Sequence, residues 1–160
     1  MKRIALFLSL SLCSLALTAE PPITAESPWV REAPPGTSVT AGYLQLHNRG
    51  DEAVSLTAVS ADEFRRSELH ETVHEDGQAR MRHVDAVLIP AGGQAELAPG
   101  GKHIMLHEPR RTLEAGDWVT LTLRFDNGQL LQIAAPVRKR TGREEAGDDE
   151  HEHHHHGAHE

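Results

Sequence analysis

The chain has 160 residues, with 16 basic and 24 acidic side chains and a net charge of −8 at neutral pH. This acidic balance excludes the basic surface that is typical of a nucleic-acid-binding domain. The length favours one domain with additional terminal segments. The only cysteine, Cys13, excludes a disulfide framework within the chain.

Residues 1–19 have the composition of a secretory signal peptide. A basic start is followed by an almost wholly apolar run over 4–17 and by small residues at 18–19. The run is short for a membrane span, and a retained anchor is the alternative. Leu12 stands where a lipoprotein has a small residue, so lipidation of Cys13 is not expected. We predict a periplasmic protein that is not membrane-spanning after processing and contains no thiol.

Residues 20–28 are polar and rich in proline, which predicts a flexible leader. From there to residue 140, apolar and polar side chains alternate and turn sequences recur about every ten residues, as expected for antiparallel strands. The predicted strands are a short edge strand from Pro28 ended by Pro34-Pro35-Gly36, then 39–47, 53–59, a hairpin within 68–83 that turns at Asp76-Gly77, 87–90, 94–97, 103–107, 118–125 and 130–137. No stretch has helical periodicity. We predict an all-β Greek-key β-sandwich or small barrel of about eight strands over 29–140.

Residues 141–160 are acidic, rich in histidine and without large apolar side chains. Such a segment cannot bury enough apolar surface to offset its ordering entropy, which predicts a disordered tail. Its imidazoles are suitable ligands for Cu(II) or Zn(II). The tail histidines are His151, His153, His154, His155, His156 and His159. A purification tag is the alternative, although interleaved acids and four consecutive histidines fit a tag poorly.

Methionine is the most informative residue type in the body of the chain. Apart from Met1 it occurs only at Met81 and Met105, and each lies close to histidines. Imidazole and thioether ligands without a thiolate suit copper, especially Cu(I). No cysteine occurs after the predicted signal peptide, which also excludes the thiolate site of blue-copper proteins.

The predicted hairpin brings some of these side chains together. If Asp76-Gly77 are its two central residues, His70 faces His83 and Thr72 faces Met81, so His70, Met81 and His83 share one face. On the strand over 103–107, His103 and Met105 also share a face, while Ile104 and Leu106 point into the core. The four residues His70, Met81, His103 and Met105 therefore form a candidate metal site.

The spacing of these four residues resembles that of the periplasmic Cu(A)-site copper chaperones, PCu(A)C. In that family the order is a histidine, ten intervening residues, a methionine, twenty-one intervening residues, a histidine, one intervening residue and a methionine. The same intervals occur here. The flanking segments 68–72, 89–93 and 97–106 also agree, as do Trp29-Val30-Arg31 and Pro34-Pro35-Gly36, so the resemblance extends over roughly 29–137.

The resemblance implies a cupredoxin-like, immunoglobulin-like β-sandwich that binds Cu(I) through the four candidate ligands. It also implies delivery of copper to the cytochrome c oxidase subunit that carries Cu(A), or to another periplasmic copper protein. His83 and His107 depart from the family, in which methionine is common at both positions. Each is therefore a candidate additional ligand.

Two other functions are compatible with parts of the sequence. A copper- and zinc-buffering or scavenging protein would act mainly through the tail, whereas an adhesion or assembly domain of immunoglobulin type would have no use for the Met/His pattern. No arrangement of catalytic residues or phosphate-binding loop favours an enzyme. We therefore predict a monomeric, non-enzymatic copper carrier.

Overall fold

The computed structural model describes residues 22–34, 36–75 and 77–139, which form ten β-strands. The strands are β1 (Ile23–Arg31), β2 (Val39–Asn48), β3 (Val54–Ala61), β4 (Phe64–Glu75), β5 (Gln78–His83), β6 (Val87–Ile89), β7 (Gln94–Leu97), β8 (Lys102–Pro109), β9 (Trp118–Phe125) and β10 (Leu130–Arg138). The predicted signal peptide and histidine-rich tail lie outside the described residues. Within those ranges, no helix is long and apolar enough to cross a membrane.

The ten strands form two layers. The first layer has the order β5-β4-β8-β2-β1, with β7 paired to β2, and the second has the order β10-β9-β3-β6. Parallel pairing of Val30 with Val137 joins β1 to β10 and makes the hydrogen-bonded path continuous between the layers. The predicted all-β sandwich is confirmed, with ten strands rather than about eight.

The core lies between the layers and is built from alternate residues of each strand. On β9, Val119, Leu121 and Leu123 are fully buried, whereas the threonines between them are partly exposed. On β8, Ile104 and Leu106 are fully buried, as predicted. Because successive side chains of a strand point to opposite faces, His103, Met105 and His107 are turned to the outer face of the first layer.

β1 is the element that differs most from prediction. It begins at the fully buried Ile23, within the segment predicted as a leader over 20–28, and it lies between β2 and β10 rather than at an edge. Its pairing with β2 shifts register between Glu26 and Trp29, and Ser27 has a φ of 49°. This is a β-bulge, which interrupts the period of two and tolerates Pro28 because the ladder is already broken there.

The β4–β5 hairpin has the predicted register. Glu75 pairs with Gln78, Thr72 with Met81, and His70 with His83. Gly77 has a φ of 75°, the left-handed conformation that such a tight turn requires. β4 begins at Phe64, four residues before the predicted hairpin, and so has enough length to pair with β8 on its other side.

The layered core predicts a clear contrast between two leucines. Replacing the fully buried Leu121 with alanine leaves a cavity and should lower the free energy of unfolding by about 2–5 kcal/mol. Leu130 is 60% exposed, so Leu130→Ala should change it by no more than about 0.5 kcal/mol. Chemical denaturation followed by tryptophan fluorescence measures both. Equal losses would contradict the assignment of the core.

Candidate metal centre

Three histidines lie side by side on the outer face of the first layer. His70 on β4 pairs with His83 on β5 and with His103 on β8. The ring of His70 is 5.7 Å from that of His83 and 6.0 Å from that of His103, measured between centroids. Two of the four predicted ligands, His70 and His103, are therefore direct cross-strand neighbours.

His103 is held in one orientation by the backbone. Its side chain is buried, and Nδ1 lies 3.0 Å from the carbonyl oxygen of Gly101, to which it donates a hydrogen bond. Nδ1 therefore carries a proton, and in the neutral form of the ring the lone pair is on Nε2. This Nε2 is buried and has no hydrogen-bond partner among the described residues. A histidine with one nitrogen fixed by a hydrogen bond and the other unengaged is the arrangement found in metal ligands.

His70 has the same arrangement with the two nitrogens exchanged. Its Nε2 lies 3.4 Å from Oε2 of Glu68, whereas its buried Nδ1 has no partner in the described part of the chain. Burial lowers the pKa of His70, and the neighbouring rings of His103 and His83 add to this effect, whereas Glu68 opposes it. The neutral imidazole, which is the form that binds metals, is therefore favoured at neutral pH.

Glu68 is a supporting residue whose role was not predicted from the sequence. Its Oε2 accepts hydrogen bonds from His70 and, at 3.0 Å, from Nε2 of His107, while Arg66 lies 3.3 Å from Oε1. Desolvation acts to raise the pKa of Glu68, but the charge of Arg66 and the hydrogen bonds from both histidines outweigh it and hold the pKa below its ordinary value. The carboxylate therefore remains ionised and orients the ring of His70.

The two methionines lie with His103 in one groove. Met81, His103 and Met105 all line it, and Thr72 and His74 also contribute. Met81 is 62% exposed, whereas His103 is only 4% exposed. His70 is not among the residues that line the groove, but its ring lies beside that of His103. The structure thus places all four predicted ligands on one face of three adjacent strands.

The two additional candidates have different surroundings. His83 is largely exposed beside His70, and its Nε2 lies 3.5 Å from the carboxylate of Asp85. Both ring nitrogens of His107 are engaged, because Arg66 lies 3.3 Å from Nδ1 and Nε2 donates to Glu68. His107 is thus placed to support Glu68, whereas His83 is placed beside a predicted ligand.

The donors on this face include sulfur. Across residues 22–139 as described, no three His, Cys, Asp or Glu side chains are placed so that they could hold a metal ion. A centre built from the imidazoles of this face together with the thioethers of Met81 and Met105 is the candidate. Such a centre fits a soft monovalent ion better than Zn(II) or Mg(II).

Comparison with known proteins identifies the family. The family model described as "Putative lipoprotein LpqE-like" matches residues 23–137. The protein "Putative lipoprotein Lxx21020" of Leifsonia xyli is 36% identical over 118 residues, which are 73% of this chain and 70% of that protein. The chain belongs to the LpqE-like, or PCu(A)C, family.

Solved PCu(A)C structures share the fold of this domain. The copper-bound PCu(A)C domain of PmoF2 superposes with a TM-score of 0.63 at 25% identity, over 76% of this chain and 97% of that one. The Cu(I) form of DR1885 from Deinococcus radiodurans superposes with a TM-score of 0.61 at 32% identity, over 76% and 81% of the two chains. Relatives of this PCu(A)C domain thus bind copper.

The contact between Glu68 and His70 predicts a titration effect. The hydrogen bond and charge of Glu68 raise the pKa of His70, so Glu68→Gln should lower that pKa further below its ordinary value. A pH titration of the histidine ring resonances by NMR measures it. Glu96→Gln on β7 is the matched control and should leave His70 unaffected. An unchanged or raised pKa in Glu68→Gln would contradict the contact.

Proposed function

We propose that this protein is a periplasmic copper chaperone that carries Cu(I) as cargo and delivers it to the Cu(A) centre of cytochrome c oxidase. The proposed ligands are His70, Met81, His103 and Met105. One observation carries the proposal: Nδ1 of His70 and Nε2 of His103 are buried, lack hydrogen-bond partners among the described residues, and belong to neighbouring rings. An unsatisfied buried nitrogen is costly unless a ligand engages it.

The chemistry of the donor set supports Cu(I). Two neutral imidazoles and two thioethers add no negative charge to the ion, and thioethers favour the monovalent state of copper. Glu68 and the carbonyl of Gly101 hold the second nitrogen of each ring. Such supporting hydrogen bonds fix the tautomer and the ring orientation of a metal-bound histidine.

The unequal exposure of the ligands supports transport rather than catalysis. His103 is buried and anchors one side of the site, whereas Met81 is mostly exposed. A partner protein can approach the ion from the side of Met81 and replace one ligand at a time. Delivery to Cu(A) is the transfer implied by the resemblance to the PCu(A)C chaperones, and another periplasmic copper protein is the alternative acceptor.

The thioethers provide the direct test. The double substitution Met81→Leu/Met105→Leu conserves side-chain volume, so the free energy of unfolding should fall by less than about 1.5 kcal/mol. The affinity for Cu(I) should fall by at least about tenfold, since each tenfold change corresponds to roughly 1.4 kcal/mol of binding free energy. Competition with a coloured Cu(I) chelator measures it. The exposed Leu88→Met substitution is the control, and an unchanged affinity in the double variant would refute this ligand set.

A buffering or scavenging function of the histidine-rich segment is the second candidate. Arg138, near the end of the described residues, pairs with Arg31, and Arg31 lines the groove that contains Met81 and His103. The last described residues of the chain therefore lie near the rim of the proposed copper site. We propose that the segment over 141–160 binds Cu(II) or Zn(II) separately from the Cu(I) site.

Replacing all six tail histidines with asparagine tests this second proposal while leaving the acidic residues in place. Imidazoles, not carboxylates, are the preferred Cu(II) ligands of such a segment, so the variant should lose most of its Cu(II) stoichiometry and keep its Cu(I) affinity. Calorimetric titration with each oxidation state measures both. Unchanged Cu(II) stoichiometry would refute a metal site in the tail.

A further inference from the structure

The candidate donors of the groove differ in exposure. On β8, His103 is buried and Met105 is half-buried, whereas His74 and Met81 on the β4–β5 hairpin are both exposed. All four line the same groove. Donor atoms suited to Cu(I) therefore lie both at the exposed part of the groove and at its more buried part.

The strand register places Met81 between two histidines of β4. Met81 pairs with Thr72, whose neighbours on the same face are His70 on one side and His74 on the other. Both histidines are therefore diagonal neighbours of Met81, at a separation that long side chains can bridge. The thioether can thus share an ion with either of them.

The two flanking histidines are oriented differently. Nε2 of His70 is held by Glu68, and the ring of His70 adjoins that of His103. His74, in contrast, lines the groove together with Met81. Met81 therefore shares the exposed part of the groove with His74, while His70 is grouped with the buried His103.

We propose that His74 and Met81 form an outer Cu(I) site at which the ion is first bound and last released. From there the ion moves inward to His103, His70 and Met105, with Met81 as the ligand common to both positions. This inference deepens the proposed Cu(I) carrier function and rests on it.

The transfer is a ligand exchange that needs no additional reactant. The bond between copper and an imidazole nitrogen of His74 breaks as the bond to Nε2 of His103 forms. Copper remains Cu(I), so no electron is transferred. Both imidazoles are neutral when they bind, so no proton is released or taken up. Because His74 is not needed in the final site, its loss should affect rates more than the final affinity.

The first test measures the rate of loading. The full-length protein is mixed with the Cu(I)–bicinchoninate complex, and the loss of its colour is followed by stopped flow. His74→Gln should load several-fold more slowly than the unsubstituted protein, with a similar final equilibrium. His47→Gln is the matched control, because His47 lies on β2, 3.4 Å from Glu26, and is not among the groove-lining residues. An unchanged loading rate in His74→Gln overturns the proposal.

The second test isolates the outer site. In the variant His70→Gln/His103→Gln, methionine methyl groups labelled with ¹³C report separately on Met81 and Met105. Added Cu(I) should shift the methyl resonance of Met81 and leave that of Met105 in place. The further substitution His74→Gln should abolish the shift. A folded double variant in which the Met81 resonance does not move overturns the outer site.

The two proposals fail in different ways. If Cu(I) shifts neither methyl resonance in the unsubstituted protein, the carrier function and the outer site are both refuted. If Cu(I) shifts both resonances there but His74→Gln loads at the normal rate, only the outer site is refuted. The loading experiment keeps the proposal testable even if the double variant does not fold.

Discussion

The proposed copper site depends on the alternation of side chains along β8. Ile104 and Leu106 are fully buried between the two layers, and this burial forces His103, Met105 and His107 onto the opposite face. β4 pairs with β8 so that His70 lies beside His103, and β5 continues the row with His83 and Met81. The same apolar contacts that stabilise the sandwich thus also place the nitrogen and sulfur donors together on the outer face. A one-residue slip of β8 would turn His103 and His107 toward the space between the layers and turn Ile104 and Leu106 outward, so core packing and site geometry are not independent.

A soft metal site in an acidic protein requires control of nearby carboxylates. Glu68 is close enough to interact with the site, but its oxygens are occupied by His70, His107 and Arg66. The carboxylate is therefore placed to orient the ring of a proposed ligand rather than to bind the ion itself. His107, in turn, is explained as a support of Glu68 through its own two hydrogen bonds. His107 thus occupies a position at which methionine is common in the family. Its contacts with Glu68 and Arg66 give it a structural role.

The strands in which apolar and polar side chains alternate regularly were predictable from the sequence. β7, β9 and the β4–β5 register agree with prediction because short alternating segments and a two-residue turn leave few other pairings. β1 was predicted incorrectly because a bulge at Ser27 breaks the period and because Pro28 is usually a sign of an edge. Glu68 was missed for another reason. Its role depends on which way its side chain turns and which rings it contacts, and periodicity does not contain that information.

The parallel pairing of β1 with β10 determines how the domain is oriented relative to its termini. The two strands run in the same direction, so the chain enters β1 at Ile23 and leaves β10 beside Arg31, at the other end of β1. At about 3.3 Å per residue, these two points are roughly 25–30 Å apart. Arg31 also borders the groove of Met81 and His103. Any attachment made upstream of Ile23 would therefore join the domain at the end of β1 that is far from Arg31 and from the rim of the groove.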